Sequence, residues 1–280
     1  MSTTELGEFL RARRELVQPE DVGLPGGGRR RVAGLRREEL ALLAGISTDY
    51  YLRLEQGRDR HPSSAVLDAL ARVLQLDEEA TAYLHTLAVP EVRRTKRLLR
   101  EQAPEGIRQL ISTYWSGAPA IVLNRYMDVL ASNQMAVALS PINSAGVNVI
   151  RAAFLEPQVR TLYRNWEEMS IRAVASLRAL IGPDSRDPRV VDLVNELSLA
   201  SPEFSRLWAR YDVSPKGKGE SHLQHPVVGE LHLSYERLQI PGTGGQLLVV
   251  HHADPNTASG RKLAQLAADA SHAHGQPGER

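Results

Sequence analysis

The chain contains no cysteine, which removes a disulfide framework, a thiolate metal site and a cysteine nucleophile together. Aromatic residues are scarce at 5%, so the few large rings carry weight wherever they fall. Lysine is rarer still: Lys96, Lys216, Lys218 and Lys262 are the only four among 34 basic residues. That bias points to a GC-rich coding genome more than to a mechanism. No apolar run approaches the roughly 20 residues that a membrane span needs. The opening MSTTELGEFL has two glutamates and no basic-then-apolar leader, so a cytoplasmic location is expected. Net charge is only +1, and residues 1–90 hold twelve basic against fourteen acidic side chains, a net of −2. Any affinity for nucleic acid must therefore come from a local patch. No G-x-S-x-G, P-loop or dinucleotide fingerprint occurs, so no catalytic residue, cofactor or enzyme activity is nominated.

With 280 residues, one or two domains are expected, each able to bury its own core. What is present is organised around Leu35 to Gly57, LRREELALLAGISTDYYLRLEQG. Arg36–Ala44 reads as one helix, with Glu38 and Glu39 in the first turn where the helix dipole favours acids. Gly45 suits a left-handed C-cap. Ser47 caps a second helix over Thr48–Gln56, and Gly57 ends it. Leu40, Ala44, Tyr51 and Leu54 recur at spacings that point inward across the turn, with Ala41 small where the helices cross. Thr48, Asp49, Tyr50 and Arg53 are left on the outer side of the second helix. A helix-turn-helix presents that face to the major groove. The string LALLAGIS followed by YLRLEQG closely resembles the phage-repressor-like, or XRE-type, motif.

The rest of this region completes a five-helix all-α unit. Thr4–Arg14 is an amphipathic first helix, and helices after Ser63 or Ser64 and after Asp77 run to about Leu74 and Leu87. The connection Leu16–Gly34 carries GGGRRR. With Arg36 and Arg37 it supplies five arginines uninterrupted by acids, suited to phosphate. Arg37, at the start of a helix, is the best single phosphate candidate. The resemblance carries Arg58 and Arg60, in the loop after the second helix, over as further backbone contacts. Thr48, Asp49 and Arg53 are then the expected base readers, with Ser47 and Tyr50 close by.

Beyond Pro90 the texture changes. Glu91–Gly106 reads as an interdomain helix or linker. Ile107–Ser116 looks helical, and Ala120–Leu123 with Asp128–Ala131 form a short hairpin. Residues 134–211 are mainly helical, including Val159–Ile181, Arg189–Leu199 and Pro202–Tyr211. Gly229–Ile240 alternates cleanly and pairs across PGTGG with Gln246–Ala253. Thr257–Ala270 is the last helix. Four strands with helices on one side make an α+β, PAS-like domain with a small antiparallel sheet.

The resemblance then extends over the chain. GLPGGGRRRVAGLRREELALLAGIS with RLEQGR is similar to the N-terminal module of MmyB-like transcription regulators. RNWEEMSIRAVASLR, ELSLASPEFSRLWARYDV, HPVVGELHLSYERLQIPG and QLLVVHHADP are similar to that family's C-terminal domain. It implies a bacterial one-component regulator: residues 1–90 an XRE-type DNA-binding domain, 91–106 a linker, 107–270 a PAS-like ligand-binding and dimerisation domain, 271–280 a flexible tail. The implied partners are double-stranded operator DNA with two-fold symmetry, a second copy of the chain, and a small apolar effector such as a fatty acid or acyl-type metabolite. In VSPKGKGESHLQH the chain departs from the family, with Ser221 and Leu223 replacing more usual basic or polar residues.

Candidate ligand contacts are Tyr114, Phe154, Trp166, Phe204 and Trp208 as apolar wall, although rings at helical spacing also build plain core. Asn133 is a candidate polar anchor, or equally a turn cap. Arg160 and His225 could meet a carboxylate, because a buried charge needs a partner. The histidines His222, His225, His232, His251 and His252 invite a metal, but adjacent strand residues face opposite ways and none is proposed. Two other readings stand beside the sensor. One is a constitutive DNA binder whose second domain only dimerises; the other is a cupin-like metalloenzyme domain, which needs roughly eight strands.

Overall fold

The computed structural model describes residues 5–25, 34–59, 61–88, 101–182, 187–213 and 217–274, with side chains described to residue 269. The arginine-rich run 29–31, Arg60 and most of the expected linker lie outside them.

The N-terminal unit consists of α1 (Glu5–Leu16), α2 (Arg37–Ala44), α3 (Thr48–Glu55), α4 (Ser64–Val73) and α5 (Glu78–Leu87). Local chemistry sets most boundaries. Gly45 takes a left-handed φ of 70° and stops α2, a conformation that costs glycine least. Ser47 Oγ accepts from Tyr50 N at 3.2 Å. Ser63 and Asp77 cap α4 and α5 in the same way, accepting from Val66 N and Ala80 N. Phe9, Leu10, Leu40, Tyr51, Leu54, Leu70 and Leu84 are fully buried and form the core between these helices. α1 crosses α3 so closely that a Cβ on Gly7 would fall 2.2 Å from the Glu55 carbonyl oxygen.

The C-terminal unit follows as α6 (Glu105–Gln109), which runs on as one π-turn over Leu110–Tyr114, then β1 (Ala120–Leu123) and β2 (Val129–Ser132). Next come α7 (Gln134–Leu139), α8 (Val149–Leu155), α9 (Pro157–Leu162), α10 (Trp166–Ile181), α11 (Pro188–Ala200) and α12 (Pro202–Ala209). The chain closes with β3 (Lys218–His225), β4 (Gly229–Gln239), β5 (Leu247–His252) and α13 (Ala258–His274). The strands form one antiparallel sheet in the order β2-β1-β5-β4-β3. This is an α+β domain beside a helical one. Among the described residues no helix is long and apolar enough to cross a membrane.

Three expectations change. Residues 218–225 pair along their length with β4, Leu223 opposite Leu231, so the sheet has five strands and HLQH lies on a strand. Five is still well short of the roughly eight that a jelly roll needs. The expected helix Val159–Ile181 is broken at Tyr163–Asn165. There Tyr163 bridges to Leu223 and Arg164 N donates to the His222 carbonyl at 2.8 Å, so edge pairing with β3 takes the backbone out of helix. Finally, the sheet is covered on both faces around β1 and β5. Ile121, Leu123 and Val249 face α8 and α10, whereas Val122 and Leu248 pack with Ala103 and Ile111. Packing of the second domain thus begins ahead of Ile107.

The two units touch. Val213 is 8% exposed inside the N-terminal core, and Tyr211 OH donates to Glu8 at 2.5 Å. Arg13 pairs with Asp212 at 2.8 Å. Burying a valine is worth about 1.5–3 kcal/mol against about 1 kcal/mol or less for a solvent-reached ion pair. The apolar contacts hold this joint and the ion pair aligns it.

Candidate DNA-reading helix and ligand cavity

The face of α3 away from the core is open. Ser47, Thr48, Asp49 and Arg53 are exposed, and Tyr50 is half-buried. Asp49 and Arg53 lie one turn apart and form an ion pair at 2.7 Å, with the guanidinium also 5.5 Å from the centre of the Tyr50 ring. Ser47 Oγ accepts the capping bond that starts α3, which leaves its O–H able to donate. Arg36 and Arg58 are exposed at the two ends of this surface. Arg36 reaches Glu38 at 3.6 Å, a weak contact that a phosphate can displace.

Arg37 does something else. Its Nε donates to Glu55 Oε2 at 2.6 Å, while Arg14 Nε donates to Oε1 at 2.7 Å. Glu55 is buried, as is Arg14, which also donates to the Leu35 carbonyl at 2.7 Å. Burial alone would raise the Glu55 carboxyl, but the bonds from Arg14 and Arg37 outweigh it and hold it below its usual value. Arg37 is therefore one wall of a buried carboxylate clamp tying α1, α2 and α3 together, with about half of its side chain open to solvent. Glu55 sits one turn after Tyr51, on the inward face. An acid at that position signals a buried partner, and the sequence reading passed over it.

The C-terminal domain holds a cavity of about 110 Å³ between the sheet and its helices. Ile121, Leu123 and Val249 line it from the sheet, and Ala153, Met169 and Ala173 from α8 and α10. Its polar lining includes Ser221, Tyr235, Arg237 and His251. Arg237 Nη1 donates to Ser176 Oγ of α10 at 2.5 Å. Burial, and then the like charge of Arg172, pull its pKa down, partly offset by Tyr235. Among the described residues no carboxylate stands within ion-pair distance of it. His251 is driven down to about 4, first by burial and then by the charges of Arg237 and His252.

That depression has a pH consequence. Unfolded, the imidazole binds a proton below about pH 6.5; folded, it does so only near pH 4. Between those values the unfolded chain holds more protons, so stability is present at neutral pH and lost as pH falls through that window. We expect urea unfolding between pH 7 and 5 to lose about 1 kcal/mol per unit from this group. His251→Gln should flatten that slope, and equal slopes in the two proteins would refute the assignment.

None of the eight sequence-derived ligand candidates lines this cavity. Phe154, Trp166, Phe204 and Trp208 form one continuous aromatic cluster, with ring centres 5.2–5.8 Å apart: Phe154 meets Trp166 and Phe204 edge to face, and Phe204 stacks on Trp208. Arg160 covers the Trp166 ring at 3.9 Å and pairs with Glu203 at the surface. Tyr114 is 78% exposed. Asn133 is fully occupied as a cap: Oδ1 accepts from Ala120 N and Ala136 N, and Nδ2 donates to three carbonyls. The His225 ring joins the Ala138 carbonyl and the amides of Val227 and Val228. Their polar groups are consumed by the fold. Ser221, by contrast, does reach the cavity from β3. Among the described residues no group of three or more histidines or acids is placed to hold a metal.

An open helix-turn-helix face joined to a domain with a cavity between its sheet and helices defines a ligand-responsive transcription regulator. A model of a helix-turn-helix domain matches residues 5–84, and one of the MmyB-like transcription regulator ligand binding domain matches residues 103–266. The chain belongs to the MmyB-like transcription regulators. No curated protein matches it.

Proposed function

We propose that this chain is a sequence-specific, homodimeric and cytoplasmic regulator whose DNA binding is set by a small apolar effector with an anionic end. The observation that carries the DNA half is the open Thr48–Arg53 face of α3. Arg53, steadied by Asp49, suits the two acceptors of a guanine, and Asp49 can also accept from a cytosine amino group. Arg36 and Arg58 grip phosphates, with Arg60 as a further contact. For the effector, the cavity is mostly apolar and its one strong charge is Arg237, which among the described residues no acid neutralises. A carboxylate-ended acyl compound offers the matching shape and charge.

The test uses an operator selected from a random-sequence library. Arg53→Ala should erase about 1–3 kcal/mol of discrimination between that operator and scrambled DNA. Arg36→Ala should weaken both about equally and lower the salt slope by about one. If both variants change the ratio alike, the division into base and phosphate roles is wrong. A two-fold dimer should protect half-sites roughly 10 base pairs apart or a multiple of that.

A further inference from the structure

One helix touches both the cavity and the DNA-binding domain. On α10, Met169 and Ala173 line the cavity and Ser176 accepts from Arg237. Two residues further on, Arg178 leaves the cavity region. Its guanidinium lies 3.8 Å from the centre of the Trp208 ring and 3.9 Å from that of Tyr211, and it donates to the Trp208 carbonyl at 2.5 Å. Tyr211 holds a left-handed φ of 54°, rare for a residue with a side chain. From there its hydroxyl reaches Glu8 of α1, and its ring meets the edge of Phe9 at 6.4 Å. Ala179 of α10 also packs against the N-terminal core. The strained Tyr211 backbone is held by contacts on both sides, as a switch segment requires.

We propose that α10 is the lever by which the cavity controls the placement of α1, and with it the helix-turn-helix, through the Arg178–Tyr211–Glu8 clasp. An occupant larger than the free 110 Å³ presses Met169 and Ala173 away from the sheet. An anionic end also competes with Ser176 for Arg237, loosening a tie between α10 and β4. Both effects draw Arg178 out of its place against Trp208 and Tyr211, so occupancy releases the clasp. The effector half of this inference rests on the proposed function; the lever itself does not.

The experiment is amide hydrogen exchange on the full-length protein, with the cavity filled in two ways. Ala173→Met fills it from α10, and Ala153→Val fills it from α8 should the first variant not fold. Decanoate is the soluble probe on wild type. Filling should speed exchange in α1 and across 208–213 by roughly fivefold while slowing it in β1 and β5. In Tyr211→Phe, which removes the hydroxyl that meets Glu8, α1 should already exchange fast and filling should add nothing. Protection gained in β1 and β5 with α1 and 208–213 unchanged would overturn the lever. If the filling variant moves α1 but decanoate produces no change anywhere, the lever stands and the acyl-effector reading fails.

Discussion

Glu55→Ala is expected to cost about 3–5 kcal/mol of stability, the range found when one member of a buried ion pair is removed. The reason is the charge left behind. Arg14 is 3% exposed, and with Glu55 gone its guanidinium is left with neutral partners, the Leu35 carbonyl and the Tyr51 hydroxyl, and a distant contact to Glu15 at 4.0 Å. Arg37 is half-exposed and can turn to water, so it adds little to the loss. The double variant Arg14→Met/Glu55→Leu separates this from mere packing. Removing both charges should recover most of the deficit, because a buried pair contributes little relative to well-packed apolar residues of similar volume. Urea unfolding followed by far-UV circular dichroism measures both. A Glu55→Ala loss below about 1 kcal/mol would show that water reaches Arg14 after all. The loss should also grow more visible above the acid range. Glu55 is held below its usual value, so its contribution is present at neutral pH and disappears as pH falls through the lowered value.

That clamp shows where the sequence was readable and where it was not. The turn of the helix-turn-helix is written in neighbours: Gly45 at a left-handed position, Ser47 three residues before the amide it caps, Tyr51 and Leu54 one helical face apart. Such signals survive without knowing what packs on top. The break at Tyr163 is the opposite case. No proline or glycine marks it, because its cause is a strand 60 residues away, in which Leu223 is the one strongly apolar side chain. β3 itself was hidden for the same reason: KGESHLQH becomes a strand only beside β4.

The cavity was harder still. Its walls come from β1, β3, β4, β5, α8 and α10 and from the connections between elements, and each apolar residue there also reads as core. The large aromatics pack against one another, mostly edge to face, and none of Phe154, Trp166, Phe204 and Trp208 lines the cavity. Two residues did carry a signal. In β4, Leu231, Leu233 and Tyr235 alternate inward, which puts Arg237 on the same face. In β5, Leu247 and Val249 do the same for His251. A cation in an inward register is as informative as the acid at position 55 of α3. The difference is that Glu55 has its two arginines, whereas among the described residues Arg237 has no acid.

Arg237→Met should therefore have opposite effects on stability and on binding. Arg237 is a partly buried charge with a hydroxyl for company, and its depressed pKa records that cost. Methionine keeps the length and the apolar contacts and deletes the charge, so the melting temperature should rise or hold. It should also relieve His251, whose pKa is lowered in part by Arg237; burial continues to act, so the imidazole should move only part of the way back toward 6.5. Affinity for a carboxylate-ended acyl probe should fall by about 2–5 kcal/mol, or roughly 30-fold and more, since the anion would enter an apolar site unpaired. The corresponding alcohol, which brings no charge, should bind the two proteins nearly alike. Isothermal titration with decanoate and decanol reads both predictions in one series. A variant that loses stability yet keeps its affinity for decanoate would place the anion elsewhere and make Arg237 a structural strut between β4 and α10.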